Sequence, residues 1–266
     1  MPTNNIIFID STVTDYKSLA SQAQAGTEVI VLDNSKDGVS QITAALAGTS
    51  DLASIQIISH GGEGMVQLGS TVLSSSNLQD YSNQLQRWGN VLADNGDILV
   101  YGCNVATGDG TAFVEQLSEI TSADVAASDD LTGNAALGGD WELEVETGSI
   151  EADLGIKKTA IANYSGLLDI IKVTNTNDSG TGSLRWAIEQ ATRQKLGFDV
   201  IDLRDVSGRI FLNDSLPSIT GGNNLFLIGD GDITIDGRNQ HQIIAIELPD
   251  NEFFGIQGIN FDNGFA

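Results

Sequence analysis

The chain has 266 residues and a mass of 28.0 kDa, with 12 Lys plus Arg against 36 Asp plus Glu and a formal net charge of −24. That length holds one large domain or two ordinary ones, and 41% apolar residues suffice for a core, which excludes wholesale disorder. Such an acidic surface repels nucleic acid and anionic lipid, and no apolar run reaches the ~18–20 residues of a membrane span.

One cysteine, Cys103, and two histidines, His60 and His241, exclude an internal disulfide framework, a thiolate zinc centre and a multi-histidine metal site. The first residues, MPTNNIIFIDSTV, carry no basic stretch followed by a long apolar one, so no secretory signal peptide is expected here.

In chain order, NIIFI (5–9) reads as a strand ending at Asp10, and YKSLASQAQ (16–24) as a helix. EVIVL (28–32) is a strand ending at Asp33, VSQITAALA (39–47) a helix, and IQIIS (55–59) a strand ending at His60. VQLGSTVL (66–73) suggests a small hairpin and residues 77–93 a long amphipathic helix. DILVY (97–101) is a strand running into Gly102 and Cys103, followed by a helix over 110–120 and a short strand over 124–127. WELEVETGSI (141–150) alternates like an added antiparallel strand or hairpin.

This βαβα order with near-continuous apolar strands predicts an α/β fold, a mostly parallel sheet covered by helices. Right-handed crossovers place all strand C-termini at one edge, where open α/β sheets carry their sites. Asp10, Asp33, His60 and Cys103 should gather there, joined by Asp129 and Asp130 after the strand at 124–127.

A thiol nucleophile needs a base held within hydrogen-bond reach by rigid elements. Neighbouring parallel strands supply this, so His60 and Cys103 form a candidate dyad. Gly61 lets a backbone N–H come close to a carbonyl oxygen, and with the Cys103 N–H it would make an oxyanion hole. The four aspartates have two readings: an acidic pocket for a basic side chain, or turn and cap chemistry, which favours Asp after strands anyway. The dyad likewise has a bland reading, since cysteine is often core filler and a lone histidine often structural.

IQIISHGG and DILVYGCNVA resemble the His-Gly and Cys blocks of the caspase-like cysteine peptidases, a group that includes caspases, gingipains, legumains and the self-cleaving domains of large bacterial toxins. The resemblance implies a general-base role for His60, a nucleophile role for Cys103 and an oxyanion donor at Gly61. The caspase-specific stretch around the cysteine is absent, so aspartate specificity is not implied.

Residues 5–168 also resemble an uncharacterised N-terminal domain of giant bacterial and cyanobacterial surface proteins, through FIDSTVTDY, ISHGGEG, YGCNVA, ASDDLTG, LGGDWELEV and NYSGLL. VTNTNDSGTGSLRWAIEQA resembles the start of the right-handed β-helix regions of such adhesins. Beyond it, short strands are separated by Gly, Asp and Asn, as in a parallel β-helix.

The expected organisation is therefore a caspase-like α/β domain over 1–153, a linker over 154–168, and the start of a β-helix over 169–266. That last pattern stops at Ala266 without a cap, so the chain is expected to be the N-terminal piece of a longer protein.

The expected function is a cysteine endopeptidase processing its own polypeptide, secreted or at the cell surface. The peptide substrate would be its linker over 153–168, where Lys157 and Lys158 would suit an acidic pocket and Leu167 an apolar one. The alternative is an inactive binding or structural module capping a β-helix stalk. A nucleotide-binding reading would need a glycine-rich turn after the first strand, where Asp10-Ser11-Thr12 stands instead. No cofactor is expected. GDGDITIDG (229–237) invites a calcium reading but lacks the spacing of a calcium loop, so coil turns of a solenoid explain it better.

Overall fold

The computed structural model describes residues 4–194, 197–220, 223–247 and 254–265. They divide into two compact units, Met1–Asp169 and Ile170–Ala266.

The first unit is mixed α/β. Its central strands are β1 (Asn5–Asp10), β2 (Thr27–Leu32), β3 (Leu52–Ile58), β7 (Leu92–Tyr101), β8 (Asp124–Ala127) and β9 (Val145–Glu146). They lie side by side in the order β2-β1-β3-β7-β8-β9, all parallel except the β8–β9 pair.

The period-2 alternation of a strand sends side chains to both faces, and both faces are covered. Ile6 and Phe8 of β1, Ile55 and Ile57 of β3 and Ile98 and Val100 of β7 share one buried cluster. That cluster is completed by α2 (Gly38–Ala45), α3 (Ser82–Gly89) and α4 (Gly110–Thr121). Ile7 and Ile9, Ile58, and Leu99 and Tyr101 belong to a second cluster with α1 (Tyr16–Ser21) and α5 (Lys158–Ala162).

The expected hairpin is present as β5 (Met65–Leu68) and β6 (Thr71–Ser74), which pair antiparallel, and β4 (Gly61–Gly62) joins β5 as a third strand. The long helix is shorter: a 3₁₀ turn over Leu78–Tyr81 leads into α3, which stops at Gly89, and the next residues enter β7. Gly89 lies so close to α4 that a Cβ there would sit 1.8 Å from the Thr121 carbonyl oxygen, a packing constraint that helical periodicity does not reveal. The alternating tail does add an antiparallel strand beside β8, over Val145–Glu146 rather than over its whole length.

Residues 154–168 are an integral part of the first unit rather than a free linker. The Gln56 side chain accepts from Gly155 N–H and donates to the Asp153 carbonyl, and Ile156 and Leu168 are fully buried.

The second unit carries β10 (Ile170–Lys172), α6 (Leu184–Gln194), β11 (Gly197–Asp202), β12 (Gly208–Phe211), β13 (Ile219–Thr220), β14 (Asn223–Asp236), β15 (Ile246–Glu247) and β16 (Phe254–Asp262). Every strand pair in it is parallel. Ile170 pairs with Val200, Val200 with Phe226 and Phe226 with Gly255, so the chain returns to one ladder after 30, 26 and 29 residues. The ladder between β14 and β16 is interrupted between Ile228 and Ile233, within the GDGD stretch. Among the described residues no helix is long and apolar enough to cross a membrane.

Candidate active site

β3 and β7 are adjacent and parallel, in a register that pairs Ile58 with Tyr101. His60 and Cys103 each stand two residues beyond that pair, at the same end of the sheet.

Two glycines let the strand ends abut. A Cβ on Gly61 would lie 2.6 Å from Val105 Cγ2 and 2.8 Å from the Gly102 carbonyl carbon. A Cβ on Gly102 would lie 3.0 Å from the Ser59 carbonyl oxygen and 3.1 Å from Gly61 Cα. Past Cys103 the chain turns through Asn104, whose φ of 58° is left-handed, a region that Asn tolerates better than most side chains. Asn104 N–H donates to the Asp130 carbonyl at 2.6 Å, tying this turn to the loop after β8.

The imidazole of His60 is buried between two backbone carbonyls. Nδ1 lies 3.2 Å from the Asp169 oxygen and Nε2 3.4 Å from the Thr12 oxygen. A neutral imidazole has one N–H and can donate to only one of them, whereas an imidazolium donates to both. Burial lowers the His60 pKa, which keeps the ring neutral at rest, while the two carbonyls oppose this by favouring the charged form.

The Cys103 thiol is also buried. Its Sγ accepts from Thr132 N–H at 3.1 Å and donates to the Thr132 carbonyl at 3.4 Å. Burial pushes the thiol pKa well up, and the Asp169 charge adds to this, so the resting sulfur is a thiol.

The two expected oxyanion donors converge on one atom. Gly61 N–H and Cys103 N–H both donate to the carbonyl oxygen of Leu168, at 2.9 and 3.0 Å. Leu168 N–H in turn donates to the Thr132 carbonyl at 3.0 Å, and Asn134 N–H donates to the Gly166 carbonyl at 2.9 Å. Leu167 bridges Gly133 in antiparallel fashion, and Asp169 bridges Gly61 in parallel fashion. Residues 166–169 thus lie against the ends of the strands that carry His60 and Cys103, held through isolated bridges, with the Leu168 side chain in the buried apolar cluster. The edge expected to be open is filled by the chain's own backbone, which is why His60 and Cys103 are both almost inaccessible.

A family described as Domain of unknown function (DUF4347) matches residues 6–168. The chain belongs to that family. No curated protein and no solved structure matches the chain.

In this DUF4347 domain the four aspartates do separate jobs. The Asp10 carboxylate is buried and accepts from the N–H groups of Thr12 and Gly69. Asp33 pairs with Lys36 at 2.6 Å and with Ser35, and these partners, Lys36 first, hold its pKa well down. Asp129 is anchored through its backbone, its N–H donating to Glu144 at 3.0 Å and its carbonyl accepting from Thr107 Oγ1. The Asp130 carboxylate accepts from Ser128 Oγ and lies within 4.8 Å of Asp140 and Glu144, all three exposed. Partial loss of hydration beside its neighbours, followed by the charges of Asp140 and Glu144, raises the Asp130 pKa. Turn and cap chemistry accounts for Asp10 and Asp33.

Lys157 is engaged with Gln22 through its backbone and its Nζ. The residue whose carbonyl occupies the site is Leu168, next to the expected Leu167. Sequence reasoning gave no role to Thr132, to Thr12 or to the Leu168 carbonyl in particular. Their contribution is made through backbone atoms, which leave no residue-type signature, although FIDSTVTDY, ASDDLTG and NYSGLL mark all three stretches.

Proposed function

We propose that this protein is a caspase-like cysteine endopeptidase that processes its own polypeptide, with Cys103 as nucleophile, His60 as general base and the N–H groups of Gly61 and Cys103 as oxyanion donors. The observation that carries the reading is the pair of N–H groups meeting on a single carbonyl oxygen, one from Gly61, next to the only histidine of the first unit, and one from Cys103, its only thiol. A carbonyl so held is polarised toward attack, and the same donors stabilise the oxyanion that attack produces.

The second unit is the start of a right-handed parallel β-helix in this reading. The return of parallel strands to one ladder after each coil supports it. A peptidase unit followed by such a stalk suits a large secreted or surface protein, with a peptide substrate and no nucleic-acid partner.

A second reading, an inactive module capping the stalk, is favoured by one observation: the thiol is buried, protonated at rest and doubly bonded to Thr132. The two readings separate on a gel. The purified chain, held with reductant in the presence and absence of calcium, should fragment, and Cys103→Ala and His60→Ala should each remain whole. Identical persistence of all three as full-length chains would leave the structural module standing.

A further inference from the structure

We propose that the bond cut is Leu168–Asp169, with Leu168 as the specificity residue and residues 166–168 as the substrate strand. This deepens the peptidase reading and rests on it.

Four features of the geometry select this bond over every other in the first unit. The Leu168 carbonyl oxygen takes both oxyanion N–H groups. The Leu168 N–H and the Gly166 carbonyl are held by Thr132 and Asn134, which is how an extended substrate is gripped by strand addition. The Leu168 side chain is fully buried in an apolar cluster that includes Ile9, Val13, Ile58, Tyr101 and Tyr164. His60 Nδ1 lies 3.2 Å from the carbonyl oxygen of Asp169, the residue on the leaving side of the bond.

A basic side chain in that apolar cluster would carry an unpaired buried charge, so the site selects a medium-sized apolar residue. Gly133 is the seat of the strand: a Cβ there would come within 2.5 Å of the Gly166 oxygen and 3.0 Å of Leu167 Cα.

The chemistry balances with water as the only added reactant. For attack the Cys103 S–H turns from the Thr132 carbonyl and a His60 ring nitrogen leaves its carbonyl partner, so that the thiol proton passes to His60 and Sγ bonds to the Leu168 carbonyl carbon. The negative oxygen is held by the N–H groups of Gly61 and Cys103. Collapse breaks the Leu168 C–N bond, and His60 returns its proton to the departing Asp169 nitrogen, giving a free amine. Water then hydrolyses the thioester, which restores the thiol and leaves a carboxylate on Leu168.

The test is intact-mass analysis and N-terminal sequencing of the purified full chain. The expected products are residues 1–168 and 169–266, the second beginning Asp-Ile-Ile-Lys-Val. Leu168→Lys should remain whole, whereas Leu168→Met should be cut at the same bond within about tenfold of the parent rate, because it conserves size and polarity. Far-UV circular dichroism and a melting curve establish that the lysine variant is folded. Should it fail to fold, Gly133→Ala serves as the second variant and should slow the cut without moving it. A Cys103-dependent cut at a different bond overturns this assignment and leaves the peptidase reading intact. A full-length wild-type chain under all conditions overturns both.

Discussion

Asp10 gives up hydration to hold two backbone N–H groups, those of Thr12 and Gly69. Thr12 in turn presents its carbonyl to His60 Nε2, so Asp10 is a positioning residue that acts on the imidazole through one turn. Burial raises its pKa to about 6, from an ordinary value of 3.8, against the opposing pull of the two N–H groups. Between those values the native state keeps a proton that the unfolded chain has released. Stability from this group is therefore greatest at low pH and falls as pH rises from about 4 to about 6, by about 3 kcal/mol at most. Urea unfolding across that range should show the component in the wild type and not in Asp10→Asn. Parallel stability curves for the two proteins would contradict it.

At the scale of elements, the site is a property of the β3–β7 register. Pairing Ile58 with Tyr101 brings the residues two positions beyond each to the same level, and glycine at 61 and 102 permits the contact. Gly61→Ala would push a methyl into Val105 and the Gly102 backbone and shift one of the two oxyanion donors. Loss of one such donor costs about 100- to 1,000-fold in rate. The expected outcome is self-cleavage slowed by at least about 100-fold, with a folded spectrum retained. Unchanged cleavage would mean that the Gly61 N–H does no chemical work. Gly89 carries the same lesson in a purely structural setting. Gly89→Ala should lower stability by about 1–3 kcal/mol in a melting experiment, because the added methyl has nowhere to go against Thr121.

For the whole molecule, the net charge of −24 and the position of residues 166–169, the proposed substrate, point the same way. Copies repel one another, and each site is already filled by its own residues 166–169. Cleavage should therefore be intramolecular. The half-time should not change on dilution, and Cys103→Ala chains mixed with wild type should stay whole. After the cut, Leu168 is still held through its side chain and its N–H, so its new carboxylate should block the site against a second substrate. Cleavage of the inactive chain in the mixture would contradict both points.

The strand order along the first unit, the coverage of both sheet faces and the placement of His60 and Cys103 at one edge were legible in the sequence. Each follows from local patterning: apolar runs of strand length, helices between them, and glycine where backbones meet. The glycine-punctuated texture after residue 169 likewise announced parallel strands, although β14, with 14 residues, and β16, with 9, run longer than the short strands expected. What only the tertiary structure decided involves backbone atoms and contacts distant in sequence. The need for glycine at position 89 depends on Thr121 of α4, more than 30 residues on. The incorporation of residues 154–168 depends on Gln56, Thr132 and Gly61. The occupant of the oxyanion pair depends on a carbonyl that every residue type carries. A sequence records side chains, and the grip on residues 166–169 is made largely by N–H and C=O groups whose meeting only folding can arrange.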